Sequence, residues 1–95
     1  MASDRSSDRK PFHALISYTV VVLKDGRLKF LDLTGKAINI SRNGLCLITR
    51  YPLKTGYVLE FKHQVRESSH GVVLWIRNLG NYYIAGTRLI TKNTE

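Results

Sequence analysis

Two arginines stand four residues apart near the start of the chain, in the segment Arg5-Ser6-Ser7-Asp8-Arg9. A guanidinium group is planar and permanently charged, and its paired donors suit phosphate oxygens and the O6/N7 edge of guanine. In an extended segment both side chains lie on one side, about 13 Å apart, so a flexible arm can bring them onto one ligand. A charged, solvated terminus is the alternative interpretation, because eight arginines make such spacings common.

A second polar pattern, N-x-S-x-x-G, spans residues 39 to 44. Strand alternation places Asn39 and Ser41 on one face, while Ile38 and Ile40 anchor the other. The amide and the hydroxyl together offer donors and acceptors to a base edge or a phosphate. Gly44 permits a positive φ and lets a ligand approach the backbone closely. The alternative is an ordinary Asn-Gly turn in which Ser41 bonds its own backbone.

The sequence contains no recognisable arrangement of catalytic residues, so we predict that the protein is not an enzyme. Cys46 lies between two leucines of a predicted strand, where a packed or edge thiol is expected rather than a nucleophile. The histidines, His13, His63 and His70, are spread along the chain without zinc-like spacing. There is no nucleophile elbow and no P-loop. We therefore expect neither a metal nor a cofactor.

The chain is short and strongly basic. Its 95 residues allow one domain, and 43% hydrophobic residues suffice for a core. Fifteen Lys and Arg against seven Asp and Glu give a net charge of +8. Such an excess suggests a polyanionic partner such as nucleic acid, a nucleotide or anionic lipid, although solubility alone can explain it. Without a long apolar stretch or a signal peptide, and with a single cysteine, a cytoplasmic location without a membrane span is expected.

Apolar residues recur with the period of a β-strand, and no segment has a helical period. Asp25-Gly26 between two apolar runs predicts a tight hairpin, and Thr34-Gly35 is expected to close the returning strand. We also expect residues 72–76, apolar on both faces, to form a central, well-covered strand. Strands are predicted at Ala14–Leu23, Leu28–Leu33, Lys36–Ser41, Leu45–Thr49, Tyr57–Val65, Val72–Ile76 and Tyr82–Ile90.

Six or seven short strands with frequent turns predict an all-β fold, a small six-stranded antiparallel β-barrel. Closure would remove the exposed edges that so short a chain cannot otherwise cover. The predicted organisation is a flexible arginine-bearing arm at residues 1–10, a barrel at 11–91 and a polar tail at 92–95.

The order of these features resembles the PilZ domain, a family of small bacterial β-barrels that bind the second messenger cyclic di-GMP. The resemblance covers nearly the whole chain. It rests on the R-x-x-x-R arm with the junction Arg9-Lys10-Pro11-Phe12-His13-Ala14, the N-x-S-x-x-G pattern, Gly71-Val72-Val73-Leu74-Trp75 and Gly86-Thr87-Arg88-Leu89. Asn39 stands where Asp is commoner, and Leu89 stands where Phe is usual. Ser6 replaces a second arginine, which leaves the ligand stoichiometry open.

The resemblance implies a single-domain cyclic di-GMP receptor or adaptor that changes its surface on binding and signals to another protein. Arg5 and Arg9 would hold guanine edges and phosphates. Asn39 and Ser41 would contact a guanine and a phosphate, and Gly44 would shape the loop. Trp75 either stacks on a guanine or packs in the core, and both roles stay open at this stage.

Two other functions are compatible with the same residues. A nucleic-acid-binding barrel of the OB type explains the basic charge and the aromatic strands, but not the N-x-S-x-x-G spacing after the arm. A PilZ-like adaptor that has no ligand and binds only protein is the other alternative.

Overall fold

The computed structural model describes residues 14–90, which form six antiparallel strands that close into a barrel, with no helix in this range. The order around the barrel is β1-β2-β3-β6-β5-β4. This confirms the predicted all-β, six-stranded fold; the arm at residues 1–10 and the tail at 92–95 lie outside the described residues. The strands are β1 (Ala14–Lys24), β2 (Arg27–Ile40), β3 (Gly44–Thr49), β4 (Val58–Val65), β5 (Ser68–Asn78) and β6 (Tyr83–Ile90).

The β1–β2 hairpin turns at the predicted Asp-Gly pair. Asp25 and Gly26 have φ angles of 56° and 76°, and Lys24 pairs directly with Arg27. Two consecutive residues of positive φ define the turn whose twist matches that of the adjoining strands. The local sequence is therefore sufficient to specify this connection.

The prediction that Thr34-Gly35 ends a strand was wrong, because β2 runs unbroken from Arg27 to Ile40. Thr34 pairs with Ser17 and Gly35 with Ile16. A Cβ atom on Gly35 would lie 2.8 Å from Leu47 Cδ1, so this glycine makes room for a side chain of β3. The irregularity in β2 comes later, where its pairing with β3 shifts at a bulge between Ala37 and Asn39.

Alternate residues of the strands fill the barrel interior, as the strand period requires. Each fully buried aliphatic side chain contributes about 1.5–3 kcal/mol relative to its exposed state. The interior also holds one polar link, a 2.8 Å hydrogen bond between the hydroxyls of Tyr18 and Thr49. The buried apolar residues are Ile16, Tyr18, Val20, Val22, Ala37, Leu45, Leu47, Leu53, Leu59, Phe61, Val65, Val73, Ala85 and Leu89.

The expectation of a well-covered strand at residues 72–76 was only partly right. Val73 is fully buried, but Leu74 and Trp75 are 51% and 46% exposed. A bulge between Val73 and Trp75 breaks the alternation here and leaves both side chains outside the barrel. β5 also begins earlier than expected, because the preceding turn lies at Arg66-Glu67.

Candidate functional site

A cavity of about 290 Å³ lies on the outer face of the sheet formed by β2, β3, β6 and β5, and we call it the outer-face cavity. It brings together Asn39, Ser41 and Gly44 of the N-x-S-x-x-G pattern with Trp75, more than thirty residues further along the chain. The cavity is lined by Asn39, Ser41, Gly44, Leu45, Cys46, Leu74, Trp75, Gly86 and Thr87.

The strand register explains how these distant residues meet. Asn39 pairs with Cys46, Cys46 pairs with Gly86, and Gly86 pairs with Trp75. The four residues form one row across four strands, so Asn39 and Trp75 stand about 14 Å apart at ordinary strand spacing. Cys46 and Gly86 form the floor of the row because their side chains are small or absent. The result is a shallow surface with an amide at one end and an indole at the other.

Gly86 allows the indole of Trp75 to lie against the backbone of β6. A Cβ atom at residue 86 would overlap the Trp75 ring, so only glycine fits beneath it. A glycine inside a strand often marks such a close approach. Trp75 is therefore not a core residue, which removes one of its two predicted roles. Its second role, stacking on a ligand base, stays a prediction.

Backbone hydrogen bonds hold the loop between β2 and β3, one within the loop and one from β6. Ser41 N–H donates to Gly44 O over 2.9 Å, and Leu89 N–H donates to Asn43 O over 2.8 Å. The Ser41 hydroxyl also donates to Gly44 O, but at 3.5 Å this bond is long and weak. The local bonding that we considered as the alternative role of Ser41 is thus present. It leaves the hydroxyl oxygen free to accept a further hydrogen bond.

The conformational role that we predicted for Gly44 was wrong. Gly44 is the first residue of β3, and among the described glycines only Gly26, Gly56 and Gly80 have positive φ. A Cβ on Gly44 would lie 3.4 Å from Thr87 O and 3.6 Å from Ser41 Oγ. Its hydrogen therefore keeps the cavity wall open beside Ser41, rather than permitting a left-handed turn.

Charge is distributed unevenly around the barrel. β3, β5 and β6 contain no carboxylate, whereas Arg77 and Arg88 lie on β5 and β6. Arg42 extends from the β2–β3 loop and is exposed. A polyanion therefore meets only positive charge on these three strands. The carboxylates of the described residues lie on β2 and β4 or in the β1–β2 and β4–β5 turns; they are Asp25, Asp32, Glu60 and Glu67.

Arg88 is a candidate binding residue that the sequence patterns missed. It is exposed and pairs with Gly44 on one side and Val72 on the other. It lines a second cavity of about 420 Å³, which shares Leu74 with the outer-face cavity. The only sequence signal for Arg88 was its place two residues after Gly86. Whether a residue at that place lies beside the cavity depends on the strand register. Cys46, Gly86 and Leu74 were missed as lining residues for the same reason.

The other side chains that could take part in chemistry do not lie close together. Cys46 is half-buried in the outer-face cavity, while His63 lines a separate cavity between β1 and β4. His70 Nδ1 lies 2.9 Å from the hydroxyl of Ser69. Between residues 14 and 90 there is no group of three or more His, Cys, Asp or Glu side chains that could hold a metal ion.

Arg5 and Arg9 lie outside the described residues, so their predicted contact with the ligand stays a prediction. A scan against protein-family models matched no family, and searches of curated proteins and of solved structures returned no match. In the part of the chain that is described, no helix has the length and apolar character needed to cross a membrane. The molecule is thus defined as an antiparallel six-stranded barrel with a polar and aromatic cavity on its outer face.

Proposed function

We propose that the protein is a PilZ-like receptor that binds cyclic di-GMP in the outer-face cavity and passes the signal to another protein. One observation carries the proposal: Asn39, Ser41, Gly44 and Trp75 line a single cavity although they come from separate parts of the chain. The first three were selected for their spacing and the last for its resemblance to a family strand. Their convergence supports a shared ligand.

The chemistry of the cavity suits a purine nucleotide. The exposed indole of Trp75 offers a face on which a base can stack, and base–aromatic stacking is worth about 1–3 kcal/mol. Asn39 can both donate to and accept from a guanine edge. The Ser41 hydroxyl is small enough to bond a phosphate oxygen or a base without filling the cavity.

The size of the cavity also bears on the ligand. At about 290 Å³ it is at the lower limit of ordinary ligand pockets, which span roughly 300–1,000 Å³. A cyclic dinucleotide would therefore extend over Leu74 towards the neighbouring cavity and Arg88. A phosphate there would find a guanidinium, with no carboxylate on the same strands.

The predicted arm joins the barrel close to this site. Ala14 pairs with Ala37, and Asn39 stands two residues further along β2. Arg9 precedes Ala14 by five residues, which can span at most about 17 Å. Arg9 is therefore tethered within reach of the cavity rim, and Arg5 has a longer reach. Binding that orders such an arm would change the surface presented to a partner without any chemical step. The proposed function needs no cofactor and suits a cytoplasmic protein.

Isothermal titration calorimetry with cyclic di-GMP tests the proposal. We expect the wild-type protein to bind, and Arg9→Ala and Asn39→Ala each to weaken binding about tenfold or more. The matched controls are Arg27→Ala at the hairpin tip and Asn81→Ala in the β5–β6 loop, both distant from the cavity in the register. Trp75, the only tryptophan, should report binding by its fluorescence. A flat titration of folded protein would contradict the proposal.

The two alternative functions predict different binding results for the same proteins. A nucleic-acid-binding barrel would bind a short single-stranded oligonucleotide with a steep salt dependence and would ignore the dinucleotide. A ligand-free adaptor would retain partner binding in the Arg9→Ala variant.

A further inference from the structure

Five exposed apolar side chains lie together at one end of the barrel, and we call them the hairpin patch. Phe30, Leu23 and Leu28 are 71%, 70% and 68% exposed. Val21 and Val58 are also exposed. Single exposed apolar residues are ordinary, but a contiguous group of them marks an interaction surface.

The strand register makes the patch continuous. Val21 pairs with Phe30, and Leu23 pairs with Leu28. These residues alternate with Val20 and Val22, which are buried, so all four point away from the barrel interior. Val58 precedes Leu59, which pairs with Val20, and so extends the same face onto β4. The patch thus spans three strands.

The β1–β2 hairpin carries most of the patch and extends beyond the ends of the strands beside it. β1 pairs with β4 only between Tyr18 and Val20, and β2 pairs with β3 only from Lys36 onward. Within residues 14–90, the segment from Val21 to Phe30 is therefore paired only within its own hairpin. A two-stranded ribbon is marginally stable in water without a packing partner on its apolar face.

The charge around the patch distinguishes it from the rest of the protein. The charged residues that border the patch on the same face are Asp32, Glu60 and Lys62, which together carry −1, whereas the whole chain carries +8. Asp32 and Lys62 form a salt bridge of 3.1 Å. Lys24, Arg27 and Lys29 are the cations of the hairpin, and alternation places them on the opposite side of the ribbon from Phe30. Two copies can therefore meet through this face without bringing their excess positive charge together.

The same arrangement disfavours an anionic surface as the occupant. A membrane or nucleic acid is attracted by clusters of cations, and Lys62 is here offset by two carboxylates. The outer face of β3, β5 and β6 has the charge for such a partner, and the hairpin patch does not.

The area of the patch suits a dimer. With these exposed fractions the five side chains present on the order of 500 Å², near the upper end for the largest patch of a monomer. Two copies would bury about 1,000 Å² between them, which is at the lower limit for a specific interface.

We propose that a second copy of this chain covers the hairpin patch, through a two-fold contact in which the same apolar face of each hairpin packs against the other. A two-fold interface uses the same surface on both subunits, so a patch that is apolar and nearly neutral is compatible with itself. The contact involves none of the residues of the outer-face cavity, so it is independent of cyclic di-GMP binding.

Sedimentation velocity of the full chain from low micromolar to near millimolar concentration tests this inference. We expect a concentration-dependent dimer without any ligand. Phe30→Ser and Leu28→Ser should each weaken dimerisation about tenfold or more, because large buried side chains dominate such contacts. Leu15→Ser is the matched control, since Leu15 is a leucine of β1 that is 76% exposed and lies outside the patch.

Three outcomes would overturn the inference. The wild-type chain could remain monomeric at the highest concentration. The dimer could persist unchanged in both serine variants that are shown by circular dichroism to be folded, which would place the contact elsewhere. A monomeric wild type that binds vesicles containing phosphatidylserine, with binding lost in Phe30→Ser, would instead assign the patch to a membrane.

Discussion

The outer-face cavity and the hairpin patch both consist of outward-facing residues of one barrel, yet their surroundings differ. In the cavity, Trp75 shares its surface with Asn39 and Ser41, and the adjoining strands β3, β5 and β6 carry no carboxylate. In the patch, Phe30 pairs with the apolar Val21, and the charged residues that border the patch together carry −1. The first combination suits a small anionic ligand with an aromatic face, and the second suits an uncharged protein surface.

The two regions also differ in how firmly the fold holds them. The cavity floor is formed by four strands that pair with one another in succession. The patch lies largely on a two-stranded ribbon that extends past its neighbours. A ligand site depends on side chains already held in place, whereas a ribbon can gain order from its partner. Strand alternation thus creates exposed side chains, while the number of adjoining strands decides how rigidly they are presented.

Gly86→Ala should separate the two regions most strongly. The added methyl would overlap the indole of Trp75, so the ring must leave its place against β6. We expect cyclic di-GMP affinity to fall by at least about tenfold and unfolding free energy by about 1–3 kcal/mol, while dimerisation stays unchanged. Calorimetry, urea unfolding and sedimentation measure these three effects.

Gly26→Ala is the corresponding change in the hairpin. Nothing lies within 4 Å of a Cβ at residue 26, but its φ of +76° disfavours alanine by about 1–2 kcal/mol. The Gly26→Ala variant should leave ligand affinity at the wild-type value.

In the Gly86→Ala variant, by contrast, wild-type ligand affinity would show that binding does not need the indole to lie against β6.

Tyr18→Phe should affect both regions equally, because the Tyr18 hydroxyl joins β1 to Thr49 at the end of β3 inside the barrel. Loss of this buried hydrogen bond should cost about 1 kcal/mol of unfolding free energy. Burial raises the pKa of Tyr18 above its ordinary value, although the hydrogen bond with Thr49 lowers it in part. The unfolded chain therefore releases this proton first, so the wild type should lose stability as pH rises above about 10.

Urea unfolding at neutral and alkaline pH tests this effect. The alkaline loss should be smaller in Tyr18→Phe, which has no phenol at this position. An identical loss in both proteins would contradict the proposed role of Tyr18.

The smallest expected effect concerns Asp32, which borders the hairpin patch. The hydroxyl of Thr19 donates to Asp32 over 2.7 Å, and Lys62 lies 3.1 Å away. These two contacts, Thr19 first, hold the pKa of Asp32 below its ordinary value. The contribution of Asp32 to stability is therefore present above the ordinary carboxyl range and is lost as pH falls through its lowered pKa.

A carboxyl NMR titration measures the Asp32 pKa. We expect Thr19→Val to move it back towards the ordinary value without changing ligand affinity. An unchanged pKa in this variant would show that Thr19 does not set it.

Much of the barrel could be predicted from local sequence. Apolar patterning located all six strands approximately, although it divided β2 in two, and Asp25-Gly26 defined its turn, because both signals depend on neighbouring residues. The prediction at Thr34-Gly35 was wrong because a glycine can mark either a turn or a close packing contact, and the local sequence does not distinguish the two. The bulges after Ala37 and Val73 were also not predicted, because they depend on how distant strands fit together.

The candidate site likewise combines features set by local sequence with features set by long-range packing. The available chemical groups follow from the sequence alone: an amide, a hydroxyl and small residues at one strand end, a single indole and an excess of cations. Asn39 and Trp75 share a surface only because the barrel closes with β6 between β3 and β5. Side-chain types and turn preferences act over a few residues, whereas strand register across the barrel is set by packing the whole core.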